Sequence, residues 1–366
     1  MKISRFLRVD PDAPIPLATQ LSQQLGWLIV SGALEIDERL PSARELATHL
    51  GIHLHTVRGA YQRLEADGLV TMRRGIGTTV KAYDRSRLAA AAPDLPSFTI
   101  GVIIPAYSTF YAPLLDGIEF AAADDPSLFL ICNARAQPRL GLTYLDRLVG
   151  KGADGVIMVS TPLPAGTKPP GDLPPVVFAD VPGAAGPAVE FDLHGAAAQA
   201  TRHLIEHGHR HIGFITPPVK WHNVAPIAAG FNEALRSEGL SQDPGLVAMV
   251  SDFSRADGYE GASRLLDLSE PPTAIVSASD TMAIGGIQAV SARGLRLPDD
   301  VALVGIDDID MAAVVTPPLT TVALPAEDMG TRVMNMLRDL MAGRSLTEPR
   351  IVLETRLVTR RSCGCS

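Results

Sequence analysis

The chain has 366 residues, 46% apolar and 20% charged, which is ordinary globular composition and a length that predicts two or three packed units. The first 85 residues carry 11 basic and 9 acidic side chains, whereas the whole chain has a net charge of −8, so a slightly basic head precedes an acidic body. Three cysteines are too few for a disulfide framework, and charged residues stand where a signal peptide needs an apolar run. We therefore expect a cytoplasmic protein that does not span a membrane.

The head begins with two predicted helices. Apolar residues at three- and four-residue spacing predict an amphipathic helix over 15–31. Further on, Ser42 and Glu45 have the spacing of a capping box, which predicts a short second helix that Gly51 ends.

A third helix and a hairpin complete the head. The periodicity predicts a helix over 55–67, and alternating residues at 69–72 and 78–80 predict two short strands around a basic, glycine-rich tip. A helix, a helix-turn-helix and a basic hairpin in this order predict a winged helix.

The remaining chain alternates short apolar runs with helical segments, which predicts α/β structure with parallel, doubly wound sheets. We expect a winged-helix domain over 1–82, an alanine- and proline-rich linker over 83–98 and a two-lobed domain over 99–366. The predicted strands are 99–104, 128–131, 155–159, 175–178, 212–216, 246–250, 274–277 and 301–306, and the predicted helices are 110–123, 140–151, 195–207, 224–238, 256–268 and 281–293.

The head resembles the GntR family of bacterial regulators. The resemblance rests on Leu40-Pro41-Ser42-Ala43-Arg44-Glu45-Leu46-Ala47, on Thr56-Val57-Arg58, on Leu64-Glu65-Ala66-Asp67-Gly68-Leu69-Val70 and on Arg74-Gly75-Ile76-Gly77-Thr78.

The body resembles the effector domain of LacI-type regulators, which has a periplasmic-binding-protein-like fold. The motifs are Ile100-Gly101-Val102-Ile103-Ile104-Pro105, His203-Leu204-Ile205, Gly208-His209-Arg210, Ser279-Asp280-Thr281-Met282-Ala283, Val304-Gly305-Ile306-Asp307-Asp308 and Pro317-Pro318-Leu319-Thr320-Thr321-Val322. The resemblance implies two lobes, roughly 99–209 with 318–342 and 210–317 with 343–366.

A GntR-type head on a LacI-type body resembles the arabinose repressor group. The combination implies a sequence-specific DNA-binding repressor that binds operator DNA as a homodimer, because one winged helix covers only a half-site. It also implies that a small molecule between the lobes controls operator affinity, and the candidate residues described below make a sugar or sugar derivative the expected ligand. The alternative is a ligand-binding protein for sensing or transport without a DNA function, against which the head argues.

The resemblance implies which residues contact DNA. They are Arg44 and Arg58 as base- or phosphate-contacting arginines, Thr56 as a phosphate contact, and Arg73, Arg74 and Gly75 in the wing. The chain departs from the GntR pattern at His53-Leu54-His55, where family members usually have Ser-Arg. A base-reading arginine and the usual helix cap are therefore missing, and His53 and His55 are candidates to replace the lost contacts.

For the effector, the resemblance implies residues that follow strands of the sheets, where open α/β folds bind ligands. The candidates are Phe110, Tyr111, Asp192, Trp221, Phe253, Asp280 and Asp307, with His222 beside Trp221. Aromatic faces and carboxylates suit a sugar or polyol. Ile227 stands where sugar-binding members carry an arginine and Ser279 where asparagine is common, which favours a neutral, less polar or larger ligand.

The sequence predicts no cofactor, no metal and no enzymatic activity. His203, His207, His209 and His211 lack the HExxH pattern, and the tail Cys363-Gly364-Cys365 lacks the four ligands of a structural zinc site. No nucleophile elbow, P-loop or nucleotide-binding fingerprint accompanies the aspartates.

Overall fold

The computed structural model describes residues 7, 9, 16–30, 34–73, 77–82, 98–123, 127–164 and 173–365. The predicted linker over 83–98 lies outside this part of the chain except for Phe98, and so do the wing residues Arg74 and Gly75. Internal contacts divide the chain into two compact units, one of residues 1–101, 122–130 and 145–155 and one of residues 102–121, 131–144 and 156–366. Within the described residues, no helix combines the length and apolar character needed to cross a membrane.

The head consists of three helices and a two-stranded hairpin, as predicted. The elements are α1 (Leu17–Val30), α2 (Ala43–Leu50), α3 (Leu54–Ala66), β1 (Val70–Arg73) and β2 (Gly77–Val80). The predicted capping box is present: the Ser42 hydroxyl accepts from the Glu45 amide at 3.3 Å, and the Glu45 carboxylate accepts from the Ser42 amide at 2.9 Å. Gly51 ends α2 in the left-handed conformation, with φ of 66°.

The apolar face of each head helix is buried in one core. Leu25 of α1, Leu46 of α2 and Leu64 of α3 belong to this cluster, together with Val70 and Val80 of the hairpin. The two valines are also paired residues of the antiparallel ladder. The core therefore fixes α2, α3 and the hairpin as one rigid unit, which leaves the polar face of α3 outside.

The body contains two six-stranded sheets, with strand orders β13-β7-β6-β5-β3-β4 and β14-β12-β11-β10-β8-β9. The registered pairs are parallel, except that β14 pairs antiparallel with β12 at the edge of the second sheet. This confirms the predicted α/β class with parallel sheets. The strands are β3 (Phe98–Ile104), β4 (Ser127–Asn133), β5 (Gly155–Val159), β6 (Val176–Ala179), β7 (Ala188–Phe191), β8 (Ile212–Thr216), β9 (Val247–Met249), β10 (Ala274–Ser277), β11 (Ala302–Asp307), β12 (Thr320–Ala323), β13 (Arg350–Leu353) and β14 (Arg356–Val358).

Helices pack beside these strands and against each other. They are α4 (Ala112–Ala121), α5 (Pro138–Gly150), α6 (Leu193–Glu206), α7 (Val224–Ser237), α8 (Arg255–Leu266), α9 (Asp280–Ala292), α10 (Asp310–Val314) and α11 (Ala326–Met341). The pairs α4 with α11, α6 with α7 and α8 with α9 are closely packed. A glycine permits the approach at α8 and α9, where a Cβ on Gly258 would lie 2.0 Å from the Met282 carbonyl oxygen.

The structure corrects the predicted lobe boundaries at three elements. Helix α6 was expected in the first lobe, but it packs on β10, β11, β12 and β14 of the second sheet. Strand β12 was also expected in the first lobe and pairs with β11 of the second, whereas β13 was expected in the second and pairs with β7 of the first. The reason is that the chain passes between the two sheets after β7, after β12 and after β13. Helix α11 packs on α4, β6 and β7, in the first lobe as expected.

Candidate DNA-binding and effector sites

Helix α3 presents a polar face made of predicted DNA-contacting residues. His53, His55 and Arg58 are exposed, and Thr56 is half-buried. The rings of His53 and His55 stack with centroids 5.6 Å apart and planes 15° apart. His53 is the residue before the helix and makes no side-chain cap, so the predicted loss of the usual cap is confirmed.

Arg44 lies exposed in the first turn of α2, and Arg73 is exposed at the end of β1, opposite Gly77. Among the described residues, no carboxylate forms an ion pair with Arg44, Arg58 or Arg73. Their charges are therefore available to phosphates.

The structure adds Arg39 to this basic set. Arg39 bridges antiparallel to Thr79, so it extends the wing by one residue of a third strand. A Cβ on Gly77 would lie 2.9 Å from Nε of Arg39, which places the guanidinium against the wing backbone. Arg39 was not predicted from the sequence, because this residue lies in an irregular segment between two helices. Only its pairing with Thr79 shows that it lies beside the wing.

On the first lobe, the candidate effector site contains residues that directly follow strands β5 and β6. Ser160 follows β5, Asp180 follows β6, and the Ser160 hydroxyl donates to Oδ2 of Asp180 at 2.6 Å. Asp180 is only 4% exposed, and its Oδ1 has no hydrogen-bond partner among the described residues. Burial raises the pKa of Asp180 to about 7, against the opposing effect of the Ser160 hydrogen bond.

Tyr111 lies beside this carboxyl group and belongs to a small group of aromatic residues. Phe110 contacts Tyr111 edge to face with centroids 5.0 Å apart, and it contacts Phe191 in the same way at 6.1 Å. Burial raises the pKa of the Tyr111 phenol, as does the neighbouring Asp180 carboxylate, while a hydrogen bond with Ser160 opposes them. Tyr111 therefore stays a neutral phenol with an apolar ring face.

The second lobe contributes a second aromatic pair and a histidine. Trp221 and Phe253 lie with ring centroids 5.8 Å apart at an angle of 51°. Nε2 of His222 is buried and has no hydrogen-bond partner among the described residues. Burial lowers the pKa of His222, against a hydrogen bond with the backbone of Asp180 that raises it. His222 thus lies next to the backbone of Asp180.

Asp307, at the end of β11, lies near the carboxyl group of Asp180. Its φ of 130° lies in a region that side chains rarely adopt, and the next residue, Asp308, has a φ of 60°. Burial raises the pKa of Asp307 well above its usual value, as do the charges of Asp280 and Asp180. Asp308 instead accepts a 2.6 Å hydrogen bond from Arg360.

Both the head and the body of the chain match families of known proteins. Residues 17–80 match the profile of the bacterial regulatory proteins of the gntR family, and residues 201–363 match that of the periplasmic binding protein-like domain. The HTH-type transcriptional repressor CytR of Escherichia coli (strain K12) is 34% identical over 271 residues, which are 73% of this chain and 79% of CytR. The chain belongs to the LacI family of transcriptional regulators.

Solved structures of other regulators have the same architecture. The transcription regulator GntR of Chromobacterium violaceum is 28% identical, with a TM-score of 0.67 over 73% of this chain and 100% of that one. A complex of the transcriptional regulator CelR with cellobiose is 27% identical, with a TM-score of 0.65 over 88% of this chain and 100% of that one. This LacI-family chain with a GntR-type head is therefore a DNA-binding transcriptional regulator.

Two of the candidate effector residues have structural roles in this LacI-family chain. Asp280 is 0% exposed; its Oδ1 accepts from the Thr321 hydroxyl at 2.6 Å and its Oδ2 from the Ile309 amide at 3.1 Å. Asp192 caps α6 by accepting from the Gly195 amide at 2.8 Å. Asp280 has no free oxygen for a ligand, so the expectation that it contacts the effector is corrected.

The two positions at which the chain departs from the LacI pattern also lie inside the fold. Ile227 is buried on α7 with 3% exposure, and Ser279 caps α9 by accepting from the Met282 amide at 3.3 Å. Ile227 therefore adds apolar surface where the family pattern has a cation.

Proposed function

We propose that this regulator is a repressor that binds operator DNA as a homodimer and responds to a neutral, polyhydroxylated effector, a sugar or sugar derivative. The observation that carries the effector class is that two buried polar atoms, Oδ1 of Asp180 and Nε2 of His222, have no hydrogen-bond partner among the described residues. A buried polar atom without a partner costs about 1–3 kcal/mol, so a ligand that supplies hydrogen bonds to both atoms removes that cost.

The residues around these atoms support a sugar rather than an anion. Phe110 and Tyr111 on one lobe and Trp221 and Phe253 on the other offer aromatic faces for the C–H surface of a sugar ring. Asp180 and Asp307 exchange hydrogen bonds with hydroxyl groups, and neither supplies the positive charge that would favour a carboxylate or phosphate. The cellobiose complex of the related CelR is consistent with this class.

On the DNA side, we propose that α3 lies in the major groove with Arg58, His53 and His55 toward base edges. Thr56 and Arg44 contact phosphates, and Arg73 with Arg39 contacts the neighbouring minor groove. Arg74 and Gly75, which lie outside the described residues, complete the wing tip in this proposal. Arginine pairs with guanine in the major groove, so Arg58 supplies sequence preference, and the phosphate contacts supply affinity.

The homodimer is supported by an apolar groove on the second lobe. Ile284 and Ile287 of α9 line it together with Val315, and the neighbouring Val314 is 69% exposed. An apolar surface of this kind fits a second copy of the chain, and two copies place two winged helices on two half-sites. Effector binding then changes operator affinity by as much as its preference for one lobe arrangement over the other.

We further propose that the protein performs no catalysis and acts in the cytoplasm, where its DNA partner is. This proposal is supported by the relatives, which are transcriptional regulators.

The test is selection of genomic DNA fragments on the purified full-length protein near physiological salt, followed by anisotropy titrations with and without a panel of sugars and polyols. We expect a palindromic fragment bound at nanomolar affinity and released by one compound, with the change also visible in the fluorescence of Trp221. Weak, salt-sensitive binding without sequence preference contradicts the proposed DNA function. Tight specific binding that no compound of the panel changes contradicts the proposed effector class.

A further inference from the structure

The C-terminal tail brings two cysteines against two histidines of helix α6 and the turn that follows it. Sγ of Cys363 lies 3.2 Å from Nε2 of His203, and Sγ of Cys365 lies 3.6 Å from the same nitrogen. Sγ of Cys365 also lies 3.3 Å from Nε2 of His207. Two ligand pairs about 160 residues apart in sequence, at i, i+4 and i, i+2 spacing, therefore converge on one small volume.

The spacing of three of these atoms matches part of a tetrahedral transition-metal site, and Nε2 of His207 lies 3.3 Å from one of the three, Sγ of Cys365. The donor atoms of His203, Cys363 and Cys365 all lie within 4.8 Å of one another. Zinc bonds of about 2.3 Å to sulfur and about 2.0–2.1 Å to nitrogen at tetrahedral angles place sulfur and nitrogen ligands roughly 3.6 Å apart. The three sulfur-to-nitrogen distances lie close to this value. His203, Cys363 and Cys365 therefore need only small movements to hold an ion, whereas the exposed His207, which is not part of the group within 4.8 Å, has to move farther.

Neighbouring polar groups position two of these donors, His207 and Cys363. Nδ1 of His207 lies 2.8 Å from the carbonyl oxygen of His203, a contact that directs Nε2 toward the tail. Metal-binding histidines commonly donate their second ring N–H to such a carbonyl. The Thr320 hydroxyl lies 3.0 Å from Sγ of Cys363.

The tail itself is anchored beside this cluster. The Ser362 hydroxyl donates to the Leu303 carbonyl at 2.6 Å and accepts from the Thr320 amide at 2.8 Å. The Leu303 amide donates back to the Ser362 carbonyl at 2.9 Å. These bonds attach the residue before Cys363 to β11 and β12, so the first cysteine is held at a fixed place rather than on a free end.

We propose that His203, His207, Cys363 and Cys365 bind one Zn²⁺ ion in a Cys₂His₂ site. On binding, each thiol loses its proton to solvent and forms a zinc–sulfur bond, while each neutral imidazole donates its Nε2 lone pair. The two thiolate charges balance the ion, so the loaded site is neutral. The ion then links the tail to the end of α6, the helix that starts at Asp192 beside the cleft. No metal was predicted here from the sequence, because neither the tail nor helix α6 with its following turn contains four ligands by itself.

The experiment uses the full-length protein, stripped with a chelator and kept reduced by a phosphine that binds metal poorly. Titration with Co²⁺ as the probe is expected to give the intense visible bands of a tetrahedral ion and a thiolate-to-cobalt band in the near ultraviolet, saturating at one ion per chain. Added Zn²⁺ is expected to displace the colour. Absence of these bands in the reduced protein overturns the proposal.

Two variants at accessible positions test the ligands without disturbing the core. Cys365→Ser and His207→Gln are expected to weaken Co²⁺ binding by more than about tenfold, because even the loss of an outer partner of a ligand costs 10–100-fold. The matched controls Cys132→Ser and His211→Gln remove a thiol and an imidazole elsewhere and are expected to bind like the unchanged chain. Binding that all four variants retain equally overturns the assignment of these ligands.

A thiol-labelling measurement gives an independent readout. Zn²⁺ is expected to protect Cys363 and Cys365, and not Cys132, from alkylation, as read by peptide mass spectrometry. Equal alkylation of the two tail cysteines with and without Zn²⁺ contradicts the proposal. A Cys363–Cys365 disulfide in the phosphine-reduced sample also contradicts it, because oxidised sulfur is no ligand for zinc.

Discussion

The Ser160 hydroxyl donates a 2.6 Å hydrogen bond to one carboxyl oxygen of Asp180, and the other oxygen of Asp180 is buried without a partner among the described residues. This half-satisfied carboxyl group lies where two strands of the first lobe end, near Tyr111. It is costly to ionise in the absence of a ligand, which makes it measurable in stability experiments as well as in ligand binding.

Asp180→Asn is expected to change the dependence of stability on pH. The pKa of Asp180 is raised from 3.8 to about 7 by burial, so between about pH 4 and pH 7 the unfolded chain is ionised while the folded chain stays protonated. The unchanged protein therefore loses stability over this interval relative to the variant, by up to about 4 kcal/mol. Urea unfolding at several pH values measures this difference.

The comparison between the two proteins isolates Asp180. The pKa values of Asp280 and Asp307 are also raised, but both residues are present in both proteins. The effect of Asp280 cancels in the difference, whereas Asp307, whose pKa the Asp180 charge raises, adds a smaller coupled change. A difference in unfolding free energy that stays constant from pH 4 to pH 8 would mean that Asp180 is ionised in the folded protein.

Asp307→Ala is expected to leave operator binding unchanged and to abolish the response to the effector found by screening. Asp307 is near Asp180 and far along the sequence from the head, and under the proposed function its carboxyl group is the second one that bonds to ligand hydroxyls. Anisotropy titrations of labelled operator with and without the compound measure both properties. Asp310→Ala, at an exposed position three residues further on, is the control. Release of DNA by Asp307→Ala at the concentration that suffices for the unchanged protein contradicts the cleft assignment.

Arg58→Ala is expected to weaken operator binding by about 1–3 kcal/mol and to relax the preference at one base pair. The side chain is exposed on the face of α3 that carries His55, and no described carboxylate pairs with it. Arg63→Ala is the matched control, because Arg63 lies on the same helix but its guanidinium donates to the Thr19 hydroxyl of α1. Binding measured across a set of single-base operator variants gives the result, and equal losses for both substitutions would remove Arg58 from the base-reading set.

Gly258→Ala is expected to destabilise the second lobe by roughly 1–3 kcal/mol or more, since its Cβ would lie 2.0 Å from the Met282 carbonyl oxygen and force α8 away from α9. Gly150→Ala at the end of α5 is the control, because nothing lies within 4 Å of its Cβ position. Thermal unfolding followed by circular dichroism compares the two. Equal melting temperatures would show that the two helices separate without cost.

The sequence predicts the head better than the body because the head's signals are local. The Ser42–Glu45 box, Gly51 and the apolar stripe of α3 are read within one helix, and each is present as predicted. Strand β7 (Ala188–Phe191) and helix α11 (Ala326–Met341) were not predicted. The assignment of β12 and β13 to lobes was reversed, since sheet membership depends on partners far away in sequence.

The candidate effector site shows the same limit. Asp280 and Asp307 look alike in sequence, as acidic residues beside apolar runs, but only the fold shows that Thr321 and Ile309 occupy both oxygens of Asp280. Ser160 and Asp180 were missed, although the rule that ligands bind at the carboxyl ends of strands points to the residues after β5 and β6. The same rule, applied to every predicted strand, points to Ser160 and Asp180.

The chain crosses three times between the two sheets. These crossings affect the order in which the protein folds during synthesis. The first sheet lacks its edge strand until residues 350–353 have left the ribosome, and the second lacks its edge strand until residues 356–358 have done so. The head completes its own core from residues 7–80, long before either lobe is whole. In each nascent chain the winged-helix head can therefore fold first. Both lobes of the body need the same last segment of the chain, so their two sheets become complete almost together.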